Sequence, residues 1–356
     1  MIQVFGANVG NSEWESVKGS VDACWMGKGP AVTEFENKFS QRINKDFIMV
    51  NNGSNALHLA MHLLDLPLNS EIIVPSFTWA ACANAIVLAG HVPVFADVEL
   101  SGNISKRTIA EVITKNTKAI CVVHYAGKPV DMEGIKEFGI PIVEDAAHAV
   151  DSKIGSQYCG TIDEIGIFSF DPIKNLATPD AGGVAASVEK IEIARKLINC
   201  GVTSTGIESQ QENWWECDVV SVFPKYVSND IAASIALSQL DKLNDNQKKR
   251  RKIWDIYQSE LFTSEDTAPN ETHSYFTYLI RTKKRNDLAH YLRQNGIYTT
   301  LRFYPLHLTT AFSDLVHRSS FYGCNILKEQ GLNLPLHPRL SLNDVDKIVE
   351  LIKMMI

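Results

Sequence analysis

The sequence predicts an α/β protein: a large domain built on a mostly parallel central sheet, followed by a smaller α+β domain. Three observations carry this reading. Short apolar runs rich in β-branched residues alternate with helical patterns through the first half of the chain. The runs are continuous, as in strands covered on both faces by helices. Past residue 230 the alternation stops and a long helical pattern begins. The expected division is a large domain over residues 1–240, with an N-terminal segment, and a small C-terminal domain over 241–356.

The elements follow in order. "FIMV" (47–50) reads as a strand leading to a helix over about 55–64. "EIIVPS" (71–76) leads to a helix over about 80–88, and "VPVFADV" (92–98) follows. "AICVVHYAG" (119–127) precedes a helix near 132–138, and "PIVED" (141–145) comes next. "IGIFSF" (165–170) and "GGVAAS" (182–187) complete the set. "NDIAASIALSQLDKLN" reads as a long helix with Asn229 as N-cap. The last part carries a strand at "YFTYLI" (275–280), a helix near 288–295 and a closing helix after Ser341, where Ser341 and Asp344 have capping-box spacing.

Composition narrows the class. Apolar residues make up 45% and charged residues 21% of 356, which suits a globular chain with a substantial core. The net charge of −7 offers no general attraction to nucleic acid or anionic membranes. The run "QKKRRK" (247–252) is expected to solvate a helix face. No signal peptide is visible at "MIQVFGANVG", and the most apolar window, 80–96, is too interrupted to span a bilayer. Seven cysteines without a C-x-x-C pair fit reduced thiols in a cytoplasmic protein.

Several residues can carry chemistry. In "NNGSNALHLA", Gly53 and Ser54 lie between a strand and an apolar helix; amides and a hydroxyl there form either an anion site or an ordinary helix cap. His58 and His62 stand one helical turn apart, but no third zinc ligand is evident, so packing or capping is expected and no metal site is assigned. "GKGPAV" (27–32) lacks a dinucleotide fingerprint. Asp145 follows a strand in "VEDAAHAV", where a carboxylate either caps a helix or holds a positive charge at the sheet's mouth. Lys174 lies between two buried strands, and a desolvated lysine becomes nucleophilic toward a carbonyl. A carboxylate, a lysine and an anion site along one strand edge are the requirements of pyridoxal phosphate, whose ring nitrogen, carbonyl and phosphate they serve.

With these residues in view, the chain resembles the DegT–StrS-type sugar aminotransferases, a branch of the fold-type I pyridoxal phosphate enzymes. The resemblance runs through "WMGKGPAVTEFENKF", "NNGSNALHLA", "VPSFTWAACANAIVLAGHVPVFADV", "VEDAAHAV", "GIFSFDPIKNLATPDAGGVAAS", "NDIAASIALSQLDKL" and "LNLPLHPRLSLNDVDKI", in the family's order. It implies that Lys174 bonds to the cofactor and that Asp145 pairs with its ring nitrogen. Trp79 would stack on one ring face and Ala147 pack on the other, with His148 near the ring hydroxyl. Ser54, the Asn55 amide and Ser169 would bind phosphate. Lys225, in "FPKY" (223–226), would complete the phosphate site of a neighbouring subunit, so a homodimer with shared active sites is implied. The chain departs from the family at Asp171, where an aromatic is common. It departs again at "TTLRFYPLH" (299–307), where Arg302, Tyr304 and His307 are candidates for substrate binding. Arg302 would meet a phosphate or carboxylate, or serve as a surface ion-pair partner.

The resemblance therefore implies a cytoplasmic aminotransferase that converts a keto-sugar, nucleotide-linked, to an amino sugar with L-glutamate as donor. Two alternatives stay open: a cyclitol-ketone aminotransferase, and a non-catalytic protein that kept the fold for binding or regulation. Relatives that dehydrate deoxysugars carry histidine in place of the lysine, and Lys174 argues against them.

Overall fold

A computed structural model describes residues 1–202, 215–261, 270–315 and 318–356. Two helices lead in, α1 (Asn11–Asp22) and α2 (Pro30–Ile43), the second with Pro30 in its first turn, where the missing N–H costs nothing. Strands and helices then alternate: β1 (Asp46–Val50), α3 (Gly53–Leu63), β2 (Glu71–Pro75), α4 (Ala80–Leu88), β3 (Val92–Ala96), α5 (Lys106–Ala110), β4 (Thr117–Val123), α6 (Met132–Lys136) and β5 (Ile142–Asp145). After two short strands, β6 (Lys153–Ile154) and β7 (Gln157–Tyr158), the main sheet resumes with β8 (Ile165–Ser169) and β9 (Gly182–Ala186), followed by α7 (Val188–Leu197).

The main sheet has the order β1-β9-β8-β5-β4-β2-β3. The strands run parallel except β9, which is antiparallel to both neighbours. The paired glycines that open β9 follow from close backbone approach. A Cβ on Gly182 would lie 2.6 Å from the Gly53 nitrogen, and one on Gly183 would lie 2.1 Å from the Phe47 ring. Both faces are covered, as the continuous apolar runs required. One face packs against α3 and α4; the other rests on a cluster of Phe35, Phe39, Phe47, Phe168 and Phe170, all buried, with ring centroids 4.7–6.2 Å apart.

The long helix α8 (Asp230–Leu261) begins where expected, with the Asn229 side chain accepting the Ala232 amide at 2.9 Å. Asp230 also caps a second helix: its carboxylate accepts the amides of Gly29, Ala31 and Val32 at the start of α2. The expected division at 240 falls inside α8. Its first half, through Leu243, belongs to the phenylalanine cluster, whereas Ile253, Trp254, Tyr257 and Leu261 join a separate core. That core also takes β11 (Tyr278–Arg281), α9 (Arg285–Gln294), β12 (Gly331–Leu334) and α11 (Leu342–Met355); β10 (Glu271–Thr272) pairs with β6, and α10 (Tyr322–Gln330) leads into β12. The Ser341–Asp344 capping box forms. The basic run corrects one expectation. Lys248, Lys249, Arg251 and Lys252 face solvent, but Arg250 is fully buried and donates to the carbonyls of Tyr275, Phe276 and Leu336. Those carbonyls belong to irregular chain outside the helices and strands, and a guanidinium has enough donors to serve several at once. Among the described residues no helix is long and apolar enough to cross a membrane.

Candidate active site

Ligands of open α/β sheets bind outside the carboxyl ends of the strands. A cavity of about 510 Å³ lies at that edge. It is lined from β1 by Asn52, Gly53 and Ser54, from β2 by Thr78 and Trp79, from β4 by Val123, from β5 by Asp145, and from β8 by Ile167 and Ser169. Reversed β9 starts at this same edge, and Asp180, just before it, joins the lining. Parallel register places Val123 beside Asp145 and Asp145 beside Ile167, so the carboxylate and the lysine loop share one end of the sheet.

Lys174 stands on the loop between β8 and β9. A turn holds it: its amide donates to the Asp171 carbonyl at 2.9 Å, and Asp171 Oδ1 accepts the Ile173 amide at 3.0 Å. The next residue, Asn175, is buried and donates to the Ser274 carbonyl at 2.6 Å and to Gln247 Oε1 at 3.1 Å. The Lys174 ammonium lies 5.1 Å from the Phe276 ring centre. Burial, then the charge of Arg302, push its pKa down to about 8, against an opposing pull from Asp145 and Asp171. Relative to an ordinary lysine this raises the neutral, nucleophilic fraction near neutral pH by about 300-fold.

Asp145 ends β5 and is buried. Its Oδ1 accepts the Ala147 amide at 2.9 Å, and its Oδ2 lies 3.1 Å from Cys82 Sγ. His148 is stacked on Phe276 (ring centres 4.1 Å apart, 13° between planes), with Phe303 nearly parallel to it at 5.9 Å. Burial first, then the charges of Lys174 and Arg302, hold its pKa well below the usual histidine range, so the ring is neutral. Its Nδ1 is buried and has no partner among the described residues. A buried ring nitrogen left unpaired is costly and points to an absent partner.

The opposite wall comes from Thr300–Phe303. Asn333 suspends it: the Thr300 and Asn333 backbones exchange two hydrogen bonds, and Asn333 Oδ1 accepts the Arg302 amide at 2.8 Å. Tyr125 fastens the same segment through a hydrogen bond to the Arg302 carbonyl. The Arg302 guanidinium lies 4.2 Å from the Phe5 ring centre, with its Nε buried and unpaired.

The structure thus brings Ser54, Trp79, Asp145, Ala147, His148, Ser169, Lys174 and Arg302 to one cavity, and Asp171 with them. It leaves others outside that lining. The Asn55 amide is taken by Asn52 Oδ1 at 2.8 Å, as the N-cap bond of α3. Tyr304 is exposed, whereas His307 bonds to Ser76 Oγ at 2.7 Å and stacks on Phe321. Lys225 is exposed and is not part of the lining of its own chain's cavity. His58 bonds to the Tyr226 hydroxyl at 2.7 Å and stacks on Phe223, which also meets His62; among the described residues no cluster of three metal-ligating side chains occurs. Thr78, Asp180 and Phe303 are lining residues that sequence reasoning missed. Thr78 had a signal, one residue before Trp79; Phe303 had one beside Arg302; Asp180 stood in an ordinary polar loop.

The residues present fit pyridoxal phosphate. A carboxylate and a lysine of lowered pKa line one cavity with His148, whose buried Nδ1 has no partner among the described residues, and the first turn of α3 offers amides beside Ser169. Gly53 makes that corner possible, because a Cβ there would lie 2.7 Å from Ser169 Cβ. The family profile described as "DegT/DnrJ/EryC1/StrS aminotransferase family" matches residues 8–353. Over 98% of its length the chain is 30% identical to a dTDP-4-dehydro-2,3,6-trideoxy-D-glucose 4-aminotransferase of Saccharopolyspora spinosa, covering 95% of that protein. It is 32% identical to a GDP-perosamine synthase of Escherichia coli O157:H7, over 98% of this chain and 97% of that one. A Streptococcus pneumoniae protein solved in its PMP form superposes with a TM-score of 0.94 at 26% identity, over 99% of this chain and 98% of that one.

Proposed function

The chain belongs to the DegT/DnrJ/EryC1/StrS aminotransferase family and is a pyridoxal phosphate-dependent aminotransferase of the sugar type; from that premise we propose that it moves an amino group from L-glutamate to the carbonyl carbon of a nucleotide-linked keto-sugar. The observation that carries the reading is the meeting of Asp145, Lys174, Ser169 and the unpaired His148 Nδ1 in one cavity at the sheet edge. The names of the two relatives, one acting on a dTDP-sugar and one making a GDP-sugar, support the substrate class.

When bound, the cofactor supplies a carbonyl carbon for the amino group and a ring that takes up the charge left by the departing α-proton. The chain's residues divide the remaining work. Asp145 keeps the ring nitrogen protonated. Lys174 Nζ, free once the donor has taken its place on the cofactor, would take the proton from the donor's Cα as base and give it back to the cofactor's carbonyl-derived carbon as acid. Its tethered loop removes the cost of finding that position. Ser54, Ser169 and the first amides of α3 would hold phosphate, with the Asn55 amide fixing the turn they stand on through Asn52. Ala147 and Trp79 would pack on the ring's two faces, and His148 Nδ1 would meet the ring hydroxyl. Arg302 receives an anionic group, the donor's carboxylate or the sugar nucleotide's phosphate. Tyr304 and His307 shape the approach to that wall.

Trp79 is 62% exposed although it lines the cavity, and Lys225 is exposed outside it. Both fit a homodimer in which a second copy covers the first and brings its own Lys225 to the phosphate. All seven cysteines are free, which suits the reducing cytoplasm.

The test is spectroscopic. Protein loaded with the cofactor should show a visible band that L-glutamate removes and a keto-sugar nucleotide restores. A band indifferent to L-glutamate would refute the donor. A band restored only by inosose-type ketones would transfer the reading to cyclitol substrates, and no band after addition of pyridoxal phosphate would return the protein to a binding role.

A further inference from the structure

Asp145 is held from two sides by its own chain. The Ala147 amide donates to Oδ1, and Cys82 Sγ approaches Oδ2 at 3.1 Å. Cys82 projects from the first turn of α4 and is fully buried; Thr78 Oγ1, also buried, lies 3.3 Å from the same sulfur. The bond directions can be assigned. Burial, then the negative charge of Asp145, push the Cys82 thiol's ionisation well upward, so the sulfur keeps its proton. A carboxylate only accepts, so the S–H points to Asp145. The sulfur is then left with lone pairs, and the Thr78 hydroxyl donates to it. Other groups around the carboxylate are Lys174 on the loop after β8, neutral His148, Arg302 and Asp171 across the cavity, and Cys121 on β4, a buried thiol whose ionisation is raised by burial and by Asp145.

We propose that Cys82 is a positioning residue for the amino transfer: its thiol fixes the orientation of Asp145 and draws part of the carboxylate's charge away from the ring nitrogen. The inference rests on the role given above to Asp145. A thiol is a weak donor, so it restrains the carboxylate without competing strongly for the charge that the ring nitrogen needs. The Ala147 amide alone would leave Oδ2 free to turn.

The experiment titrates the visible band of the cofactor-loaded protein for wild type, Cys82→Ala and Cys82→Ser, with thermal unfolding of each to verify the fold. Removing the donor leaves more negative charge toward the cavity, which favours the protonated chromophore. Cys82→Ala should therefore move the midpoint to higher pH by about half a unit or more. Cys82→Ser, which loses the sulfur's volume as alanine does but keeps a donor, and a stronger one, should titrate at or below the wild-type midpoint. Alanine titrating as wild type would overturn the proposal, as would serine behaving like alanine, since packing alone would then account for the effect. If wild type shows no band at all, the reading of the site fails first and this inference with it.

Discussion

Lys174 depends on a balance of charge. Burial and Arg302 hold it at about 8, whereas Asp145 and Asp171 oppose the shift. Its neutral amine fraction, and with it the rate of cofactor capture by the apoprotein, should rise with pH through about 8 and level off above. Arg302→Gln removes a cation beside the amine, so protonation becomes easier and the midpoint of that rate profile should move to higher pH. An unchanged midpoint would mean that burial alone sets the shift. Lys174→Ala should abolish turnover and keep the melting temperature, since the side chain lies in a cavity and supports no core. At this scale the sequence was informative where a residue stands just past a strand: Asp145 and Lys174 could be placed by counting from apolar runs, whereas Ser169 came only with the family resemblance. It was silent where a group arrives from far along the chain. Nothing near Asp145 points to Cys82, and nothing near Lys174 points to Phe276.

Among the elements, α1 shows how a helix can hide. Its buried residues are Glu13 and Ser20, so it carries no apolar stripe to read. Polar bonds dock it instead: the Glu13 carboxylate accepts from Lys242, Gln239, Ser238 and the Gly10 amide, tying α1 to α8. Burial opposes the charge, yet these partners hold the Glu13 pKa at about 2, below its ordinary 4.5. A depressed carboxylate stabilises the fold above its unfolded pKa and loses that contribution as pH falls through the folded one. Solvent screening around a carboxylate only partly withdrawn from water cuts what this shift contributes to about 1–2 kcal/mol. Urea unfolding of wild type and Glu13→Gln should therefore differ by about this much near neutral pH, and the gap should narrow steadily below about 4.5. By contrast α2 carries an ordinary apolar stripe, Val32, Phe35, Phe39 and Ile43, behind Pro30 in its first turn, and yet the sequence reading assigned no helix there. Phe39→Ala should cost about 3–5 kcal/mol, read from the same unfolding curves, because four neighbouring rings would line the void.

For the whole molecule the sequence separated two kinds of pattern, and the structure joins them through one rod. Helix α8 enters the phenylalanine cluster with its first half and the second core with its last, while buried Arg250 binds the chain around Phe276 between them. Neither core can be lost without fraying a helix that the other needs. Calorimetry should accordingly show one unfolding transition, with the same midpoint by far-ultraviolet circular dichroism and by tryptophan fluorescence. Two separated transitions would show that the cores are independent. The sequence could not reveal this, because continuity of a helix across two cores leaves no local mark.

The wall made by Thr300–Phe303 has a further consequence. It is a short segment hung on Asn333 and Tyr125, and among the described residues its backbone is fastened to those two side chains and to the Asn333 backbone. Inheritance can act on the two sides separately. Exchanges at Thr300 and Leu301 can change what is admitted to the cavity without touching Asp145 or Ser169, whereas the charge of Arg302 is also felt by Lys174, so a lineage that edits these adjacent codons to acquire a new acceptor must keep a cation among them.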